Sequence, residues 1–446
     1  MRDTLTGIIQ TDVKPIVFSA TNNNYTYTFM NDVVYSIGEK NTPINIPVED
    51  GFIYGKTHDN YGIAIYLGNK KYEIITTGVV NTAAYVKSTV NTYTENIKTF
   101  ESLQFCGGTL NEVFDISAIN TEYKEGKIIV THNDDVIEYT FDTDFGKIAI
   151  SINSTVQEHN GVKGYSINNS DVILTLSFES PQPIRSIFEH YNKMKDLLSF
   201  MTFRKNVGFN EIKLLNTQPE IHMLLKTAEV HIYNKYEPSS KSYFNNLTFS
   251  DFGDTLPRLL SLLYQQKDET CSILLGFIPG DDNDRNHMND KKIKAICSAL
   301  ECELSFAKDI DIPKNDIINK LIDEVKNFVK TFRKENPGLS NDTYSLISSS
   351  IGNWSQPLSE KLCLLYHKYE QEINSLNETD FIISDAEIKA FVKYRNHITH
   401  GRNRTPDMAI GVTAFYLCGL IYCSVLERIG ISRDKIKELC AEKILS

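Results

Sequence analysis

The hydrophobic pattern changes its period once along the chain, and this change restricts the fold more than any other feature. Up to about residue 280, short runs of β-branched and aromatic residues alternate with polar ones, as in 62–67 and 171–178. After the polar stretch 281–286, apolar residues instead recur every three or four positions. A chain of 446 residues is also too long for one hydrophobic core. We therefore predict an α+β protein of two domains, residues 1–280 and 281–446.

The first domain reads as an antiparallel β-rich sandwich or barrel, with one helix near 184–202. Pro181 and Pro183 precede that helix, and turn-forming residues at 133–135 and 168–170 separate neighbouring strands. The predicted strands are 25–29, 62–67, 127–131, 136–141, 171–178, 211–215 and 221–232.

The second domain reads as an all-α bundle of antiparallel helices. Helices are predicted at 290–308, from Pro313 to about 334, and after Pro357. A further helix begins at Ser384, which forms a capping-box pattern with Glu387, and it should end near Gly401. Thr405 as N-cap, followed by Pro406, is expected to open a long apolar helix.

The segment 408–426 has no charged residue and is long enough to span a bilayer. Its small and polar residues and the lack of a basic cluster on either flank favour a buried helix instead. The N-terminus shows no signal peptide, and eight cysteines without a tight cluster indicate free thiols. These observations predict a cytoplasmic protein without a membrane span.

Three residues near the end of the helix that starts at Ser384 could carry chemistry. Asn396 and His400 lie four positions apart and share a helix face, whereas Arg395 precedes His400 by five. A helix that loosens before Gly401 would let His400 turn toward Arg395, and a helix C-terminus favours the protonated imidazole of a general acid. Arginine stabilises charge on a phosphate. Together these are components for metal-free RNA cleavage by a 2′-hydroxyl.

The segment Arg395-Asn396-His397-Ile398-Thr399-His400 resembles the R-x4–6-H motif of HEPN ribonucleases, in which a polar residue often follows the arginine. A β-rich region joined to such a helical bundle is similar to the ApeA-type abortive-infection proteins of bacteria. This resemblance implies that Arg395 and His400 are catalytic, that Asn396 assists, and that neither metal nor other cofactor is required. It also implies RNA, with transfer RNA expected, as substrate, a homodimer formed through the helical domain, and a phage-derived or cellular trigger for the N-terminal domain.

The net charge of −11 opposes RNA binding overall, so contact with RNA must be local. Residues 388–404 include five basic side chains and no acid, and we predict RNA binding by Lys393, His397, Arg402 and Arg404. HEPN proteins often carry an acid in the first bundle helix. Glu301 and Glu303 are the candidates here, although a solvated helix face explains both more simply. The apolar helix 408–426 is expected to be core or dimer surface.

Two functions of other classes stay open at this point. The helical domain could be a non-catalytic module that binds RNA or a protein partner. The β-rich domain could bind carbohydrate, because it is rich in tyrosine and asparagine. Substitution of Arg395 and His400, or saturable binding to a glycan, separates these functions from the nuclease.

Overall fold

The computed structural model describes residues 4–445 apart from a set of short segments. These are 12–13, 22–24, 31–43, 69–71, 75–76, 90–96, 134, 162–163, 219, 235, 239–245, 266–269, 271–272, 286, 308–309, 311–315, 353–356, 377–381 and 402–405. The chain forms two compact units. The first contains Met1–Met201, Lys205–Ser240 and Thr248–Gln265, and the second contains Thr202–Arg204, Lys241–Leu247 and Gln266–Ser446. The main division therefore falls at residue 265, ahead of the polar stretch 281–286.

The first unit is dominated by one antiparallel sheet of thirteen strands in the part of the chain that the structure describes. The strands are β1 Thr4–Ile9, β2 Ile16–Thr21, β3 Thr26–Met30, β4 Ile44–Ile46, β5 Phe52–Thr57, β6 Gly62–Tyr66, β7 Tyr72–Ile74, β8 Thr77–Asn81, β9 Ala84–Ser88, β10 Thr99–Cys106, β11 Ile119–Lys124, β12 Lys127–His132, β13 Ile137–Thr143, β14 Gly146–Gly161, β15 Gly164–Pro183, β16 Glu211–Gln218 and β17 Met223–Ile232. The order of strands in the large sheet is β13-β14-β15-β10-β16-β17-β9-β6-β5-β1-β2-β3-β8, and two two-stranded ribbons, β11-β12 and β4-β7, accompany it. The predicted antiparallel β-rich domain is confirmed.

One half of this sheet curls back on itself. Tyr27 in β3 and Tyr85 in β9 have ring centroids 6.3 Å apart, although four strands separate β3 from β9 in the sheet order. Apolar side chains alternate inward along these strands, as Tyr27 and Phe29 do, and they form one buried cluster. At Gly7 the backbones approach so closely that a Cβ would lie 2.2 Å from the carbonyl oxygen of Lys56. Glycine is therefore required at this point in the curved wall.

Helix α2 (Ile187–Thr202), the predicted helix near 184–202, packs on the sheet, with Phe188 against Tyr66 of β6 and His190 against Phe178 of β15. Its imidazole at His190 is fully buried, with Nδ1 3.2 Å from the hydroxyl of Tyr264 in α4 (Leu256–Gln265). The predicted turn at 168–170 is wrong, because these residues continue β15 and Asn168 pairs with Gln157 of β14. Ladder pairing outweighs the turn preference of asparagine and serine here. Short helices α1 (Leu110–Val113) and α3 (Phe249–Phe252) complete the unit.

The second unit is helical throughout its described residues, which confirms the predicted helical C-terminal region. Its helices are α5 Asp282–Arg285, α6 Asp290–Phe306, α7 Asp316–Glu335, α8 Asn341–Gly352, α9 Leu358–Lys368, α10 Glu370–Ile373, α11 Asp385–Thr399, α12 Met408–Ile429 and α13 Arg433–Glu442. Helix α6 packs against α9, α11 and α12, and α11 packs against α9 and α12. Helix α13 packs on α10 and α12.

Helix α12 is the central core element of this unit. It is long and apolar enough to cross a membrane, with mean hydropathy 2.0, yet 78% of its most apolar window is buried within the fold. Such burial is that of a core helix in a soluble protein, and it leaves little of the helix as a surface for a partner. The predicted N-cap at Thr405 is wrong: Asp407 caps the helix by accepting a hydrogen bond from the Ile410 backbone N–H at 2.8 Å. Thr405 itself lies outside the described residues.

Candidate active site

Helix α11 carries the Arg395–His400 segment at its C-terminal end. The helix begins with the predicted capping box, in which the Ser384 backbone N–H donates to Glu387 Oε2 at 2.8 Å. It ends at His400, whose φ of −91° and ψ of 19° leave the helical region, and Gly401 follows with φ of 73°. Positive φ is the conformation that glycine adopts without strain, so Gly401 fixes where the helix stops. The exposed His400 side chain therefore stands at the helix terminus.

Arg395 belongs to the face of α11 that packs into the bundle. It follows the buried Ile388 and Phe391 at helical spacing, and Ile398 continues the same face. Only 24% of its side chain is exposed. Its guanidinium therefore points toward α6.

Two contacts hold the Arg395 guanidinium in place. Nη2 lies 3.0 Å from each carboxylate oxygen of Glu301 on α6, and Nη1 donates to Asn396 Oδ1 at 3.1 Å. Neither contact uses the Nε–H, and no described residue accepts a hydrogen bond from it. The backbone carbonyl of Arg395 also accepts a hydrogen bond from the Thr399 hydroxyl at 2.8 Å. The arginine is thus oriented by one acid and by the residue that follows it.

An exposed polar stripe runs along α11 to His400. Lys389, Lys393, Asn396 and His400 succeed one another at intervals of four, three and four residues, and all four are exposed. His397 lies beside this stripe and is half-buried. Lys389 was not among the predicted RNA-binding residues, although helical spacing alone places it in line with Lys393.

The predicted RNA-binding residues Arg402 and Arg404 lie outside the described residues. Of the other predicted site residues, Lys393 lies on the stripe and His397 lies beside it. Asn396 contacts Arg395.

The two acids of α6 have separate roles. Glu301 binds Arg395, as described above, and its side chain is 40% exposed, so a solvated helix face fits this acid. Glu303 is fully buried and accepts hydrogen bonds at 2.7 Å from both Ser424 Oγ and Arg428 Nη2 of α12. Burial raises the pKa of Glu303, while Arg428 and Ser424 oppose that rise. For Glu303 the expected solvated face is wrong, because hydrogen bonds and an ion pair from α12 stabilise its carboxylate inside the bundle.

Helices α6 and α11 are joined at a second point. The hydroxyl of Tyr394 donates to Asp290 Oδ1 at 2.8 Å, at the N-terminus of α6. Asp290 and Glu301 are about 16 Å apart along α6 by the rise of a helix. Tyr394 and Arg395 are adjacent in α11 but contact points of α6 that lie far apart. Their side chains therefore extend in opposite directions along α6. Burial also raises the pKa of Cys297, between these two contacts, to about 11, with Arg395 opposing that rise.

Among the described residues, no group of three or more His, Cys, Asp or Glu side chains is arranged to bind a metal ion. The seven cysteines in that part of the chain are free thiols.

Comparison with known protein families gives one match. Residues 34–261 match the family model described as ApeA N-terminal domain 1, which covers just over half of the 446 residues. The match lies in the β-rich unit and ends before the helices that carry Arg395 and His400. Neither a curated protein nor a solved structure matches the chain at a significant level.

Proposed function

The chain belongs to the ApeA family of abortive-infection proteins, and from this premise we propose that its helical unit is a HEPN-type endoribonuclease that acts without a metal ion. The family assignment makes the chain an anti-phage protein. The nuclease activity, its residues and its substrate are our inference from the helical unit.

One observation carries the proposal: Arg395 is clamped by Glu301 and Asn396, five residues before the exposed His400 at the helix end. A guanidinium fixed by Glu301 and Asn396 needs little reorganisation when negative charge develops on a phosphate. Arginine side chains are mostly exposed in proteins. That of Arg395 is 24% exposed, and both of its terminal nitrogens contact protein.

The reaction assigned to this site is an internal transfer at phosphorus. The 2′-oxygen of a nucleotide forms a bond to the adjacent phosphorus, and the bond from phosphorus to the 5′-oxygen of the next nucleotide breaks. His400, in its protonated form, donates the proton that the departing 5′-oxygen requires, and water removes the 2′-hydroxyl proton. Arg395 stabilises the charge on the non-bridging oxygens, and Asn396 positions Arg395. The products are a 2′,3′-cyclic phosphate and a 5′-hydroxyl.

The stripe on α11 supports RNA as the substrate. Lys389 and Lys393 lead along the helix to His400, so a strand following them would bring a phosphate to the catalytic end. Asp385, whose Oδ1 lies 2.9 Å from His367 Nε2, is at the start of the stripe and far from His400. We assign a single-stranded segment, with a transfer RNA loop as the leading candidate, because unpaired nucleotides leave the 2′-hydroxyl free to align. In this assignment the protein works in the cytoplasm as a homodimer, and its β-rich unit responds to a phage-derived or cellular trigger.

The test is cleavage of total bacterial RNA by the purified full-length chain in EDTA. Parent protein should yield discrete fragments with 2′,3′-cyclic phosphate ends, and Arg395→Ala and His400→Ala should yield none. His58→Ala is the matched control and should retain cleavage, because His58 is an exposed histidine of the β-rich unit.

Fragments from the His400→Ala protein would contradict the proposal. RNA binding by all four proteins with no cleavage by any of them, even with infected-cell extract added as a source of trigger, would identify a non-catalytic binding module.

A further inference from the structure

Helices α7 and α8 form a hairpin that buries very little of itself. Among the described residues of both helices only Ile322 and Ile351 are buried. The hairpin is held internally, for example by Arg333, whose guanidinium lies 4.1 Å from the ring centroid of Tyr344. Helices in proteins gain most of their stability from packing an amphipathic face. A 20-residue helix with one buried side chain is therefore short of packing within this chain.

The apolar face of α7 is exposed along the whole helix. Leu321, Phe328 and Phe332 are 51%, 67% and 45% exposed, and Ile317, on the same line, is 81% exposed. They follow one another at intervals of four, seven and four residues, which keeps them on one face. We call these four side chains the α7 stripe. Charged residues surround the stripe, so it is a defined apolar patch on a polar helix.

The α7 stripe is symmetric about the middle of its helix. Ile317 and Phe332 lie equally far from the point between Glu324 and Val325, and so do Leu321 and Phe328. When two identical helices pair antiparallel about a twofold axis at that point, Ile317 meets the partner's Phe332 and Leu321 meets the partner's Phe328. A closed twofold interface requires this self-complementarity.

The charges of α7 favour the same arrangement. Its first half, 316–324, carries three acids and one lysine, for a net charge of −2. The second half, 325–335, carries four bases and one acid, for a net charge of +3. Antiparallel pairing places each acidic half beside a basic half, whereas parallel pairing would place like charges together.

We propose that the α7 stripe is a homodimer interface, in which α7 packs antiparallel on α7 of a second copy of this chain. The two phenylalanines of each copy expose roughly 220 Å2, taking about 200 Å2 for a whole residue. Two copies thus supply roughly 450 Å2 before the isoleucine and leucine are counted, a large part of the ~1,000 Å2 that a specific interface needs. This inference rests on the proposed function only for the homodimer, to which it assigns a surface, and its tests involve no RNA, so its failure is distinguishable from failure of the ribonuclease assignment.

The register of the pairing is tested by cysteine cross-linking of the full-length chain. Leu321→Cys combined with Phe328→Cys should form a covalent dimer under mild oxidation, because each new thiol faces its counterpart on the other copy. Either single variant should remain uncross-linked, since residue 321 of one copy lies about 10 Å along the helix from residue 321 of the other. Cross-linking by a single variant would indicate another register and would overturn the proposal, as would no cross-linking by the double variant.

Mass measurement by light scattering completes the test. The parent chain should be a dimer, and Leu321→Glu combined with Phe328→Glu should be a folded monomer with an unchanged far-UV circular dichroism spectrum. Asn327→Glu is the control, because it adds a negative charge beside Phe328 on another face of α7, and it should remain dimeric. A monomeric parent at all concentrations, or a dimeric double-glutamate variant, would overturn the proposal.

Discussion

Replacement of Glu301 by glutamine tests whether the clamp on Arg395 positions it for catalysis. Glutamine has the size of glutamate but removes the charge and one of the two acceptor oxygens that Arg395 Nη2 contacts at 3.0 Å. Because 40% of the Glu301 side chain is exposed, solvent screens the ion pair. Its loss should therefore lower the free energy of unfolding by no more than about 1 kcal/mol.

The expected effect on cleavage is larger than the effect on stability. The Asn396 contact remains in this variant, so Arg395 keeps its place on one side and loses orientation on the other. We expect kcat for RNA cleavage to fall roughly tenfold, which corresponds to about 1.4 kcal/mol of transition-state stabilisation. KM should change little, because the clamp orients the arginine and does not itself bind RNA.

The assay is single-turnover cleavage of a labelled RNA, with urea unfolding measured on the same preparations. Asp290→Asn is the control, since it removes the charge of the acid that accepts from Tyr394 at another contact between α6 and α11 and does not touch Arg395. It should leave the rate near that of the parent. An increase in rate with Glu301→Gln would show that Glu301 restrains Arg395, and an unchanged rate would show that the clamp has no role in catalysis.

Three further changes have defined outcomes. Lys393→Ala should weaken RNA binding and reduce the slope of log K against log salt by about 0.7, measured by fluorescence anisotropy, and an unchanged slope would place RNA elsewhere. Glu303→Ala, which leaves the partly buried Arg428 without its carboxylate, should lower the free energy of unfolding by about 3 kcal/mol in urea, against at most about 1 kcal/mol for Glu301→Gln. Burial lowers the pKa of His190 to about 4 from 6.5, so the unfolded chain binds the extra proton and stability falls as pH drops below 6.5. Between pH 7 and pH 5 the parent should lose about 2 kcal/mol more than His190→Phe, and equal losses would refute the assignment.

Periodicity and capping chemistry made most of the fold predictable from the sequence. The capping box at Ser384 and the stop at Gly401 gave the ends of α11 because both depend on local backbone geometry. Strand and helix periods likewise identified the β-rich and helical regions. The predicted turn at 168–170 failed because β14 supplies a ladder partner that local preference does not reveal.

The helix face on which the candidate site residues lie could be predicted from the sequence, but their contacts could not. Asn396 and His400 share a face by spacing alone, whereas the partner of Arg395 comes from a helix about 90 residues earlier in the chain. Glu303 looked like a surface acid because its buried partners, Ser424 and Arg428, are more than 120 residues away. Long-range pairing of charged groups leaves no periodic signal in a single sequence. The exposure of the α7 stripe could not be predicted either, because its apolar pattern is that of any core helix.

The central claim is most directly tested by mapping RNA ends in phage-infected bacteria that express the chain. Parent protein should limit phage growth and produce new 2′,3′-cyclic phosphate ends at discrete positions after infection, with transfer RNA loops the leading candidates. The Arg395→Ala and His400→Ala proteins, at equal abundance, should produce neither effect. Protection against phage by the His400→Ala protein, without new RNA ends, would contradict the assignment of this site as a ribonuclease.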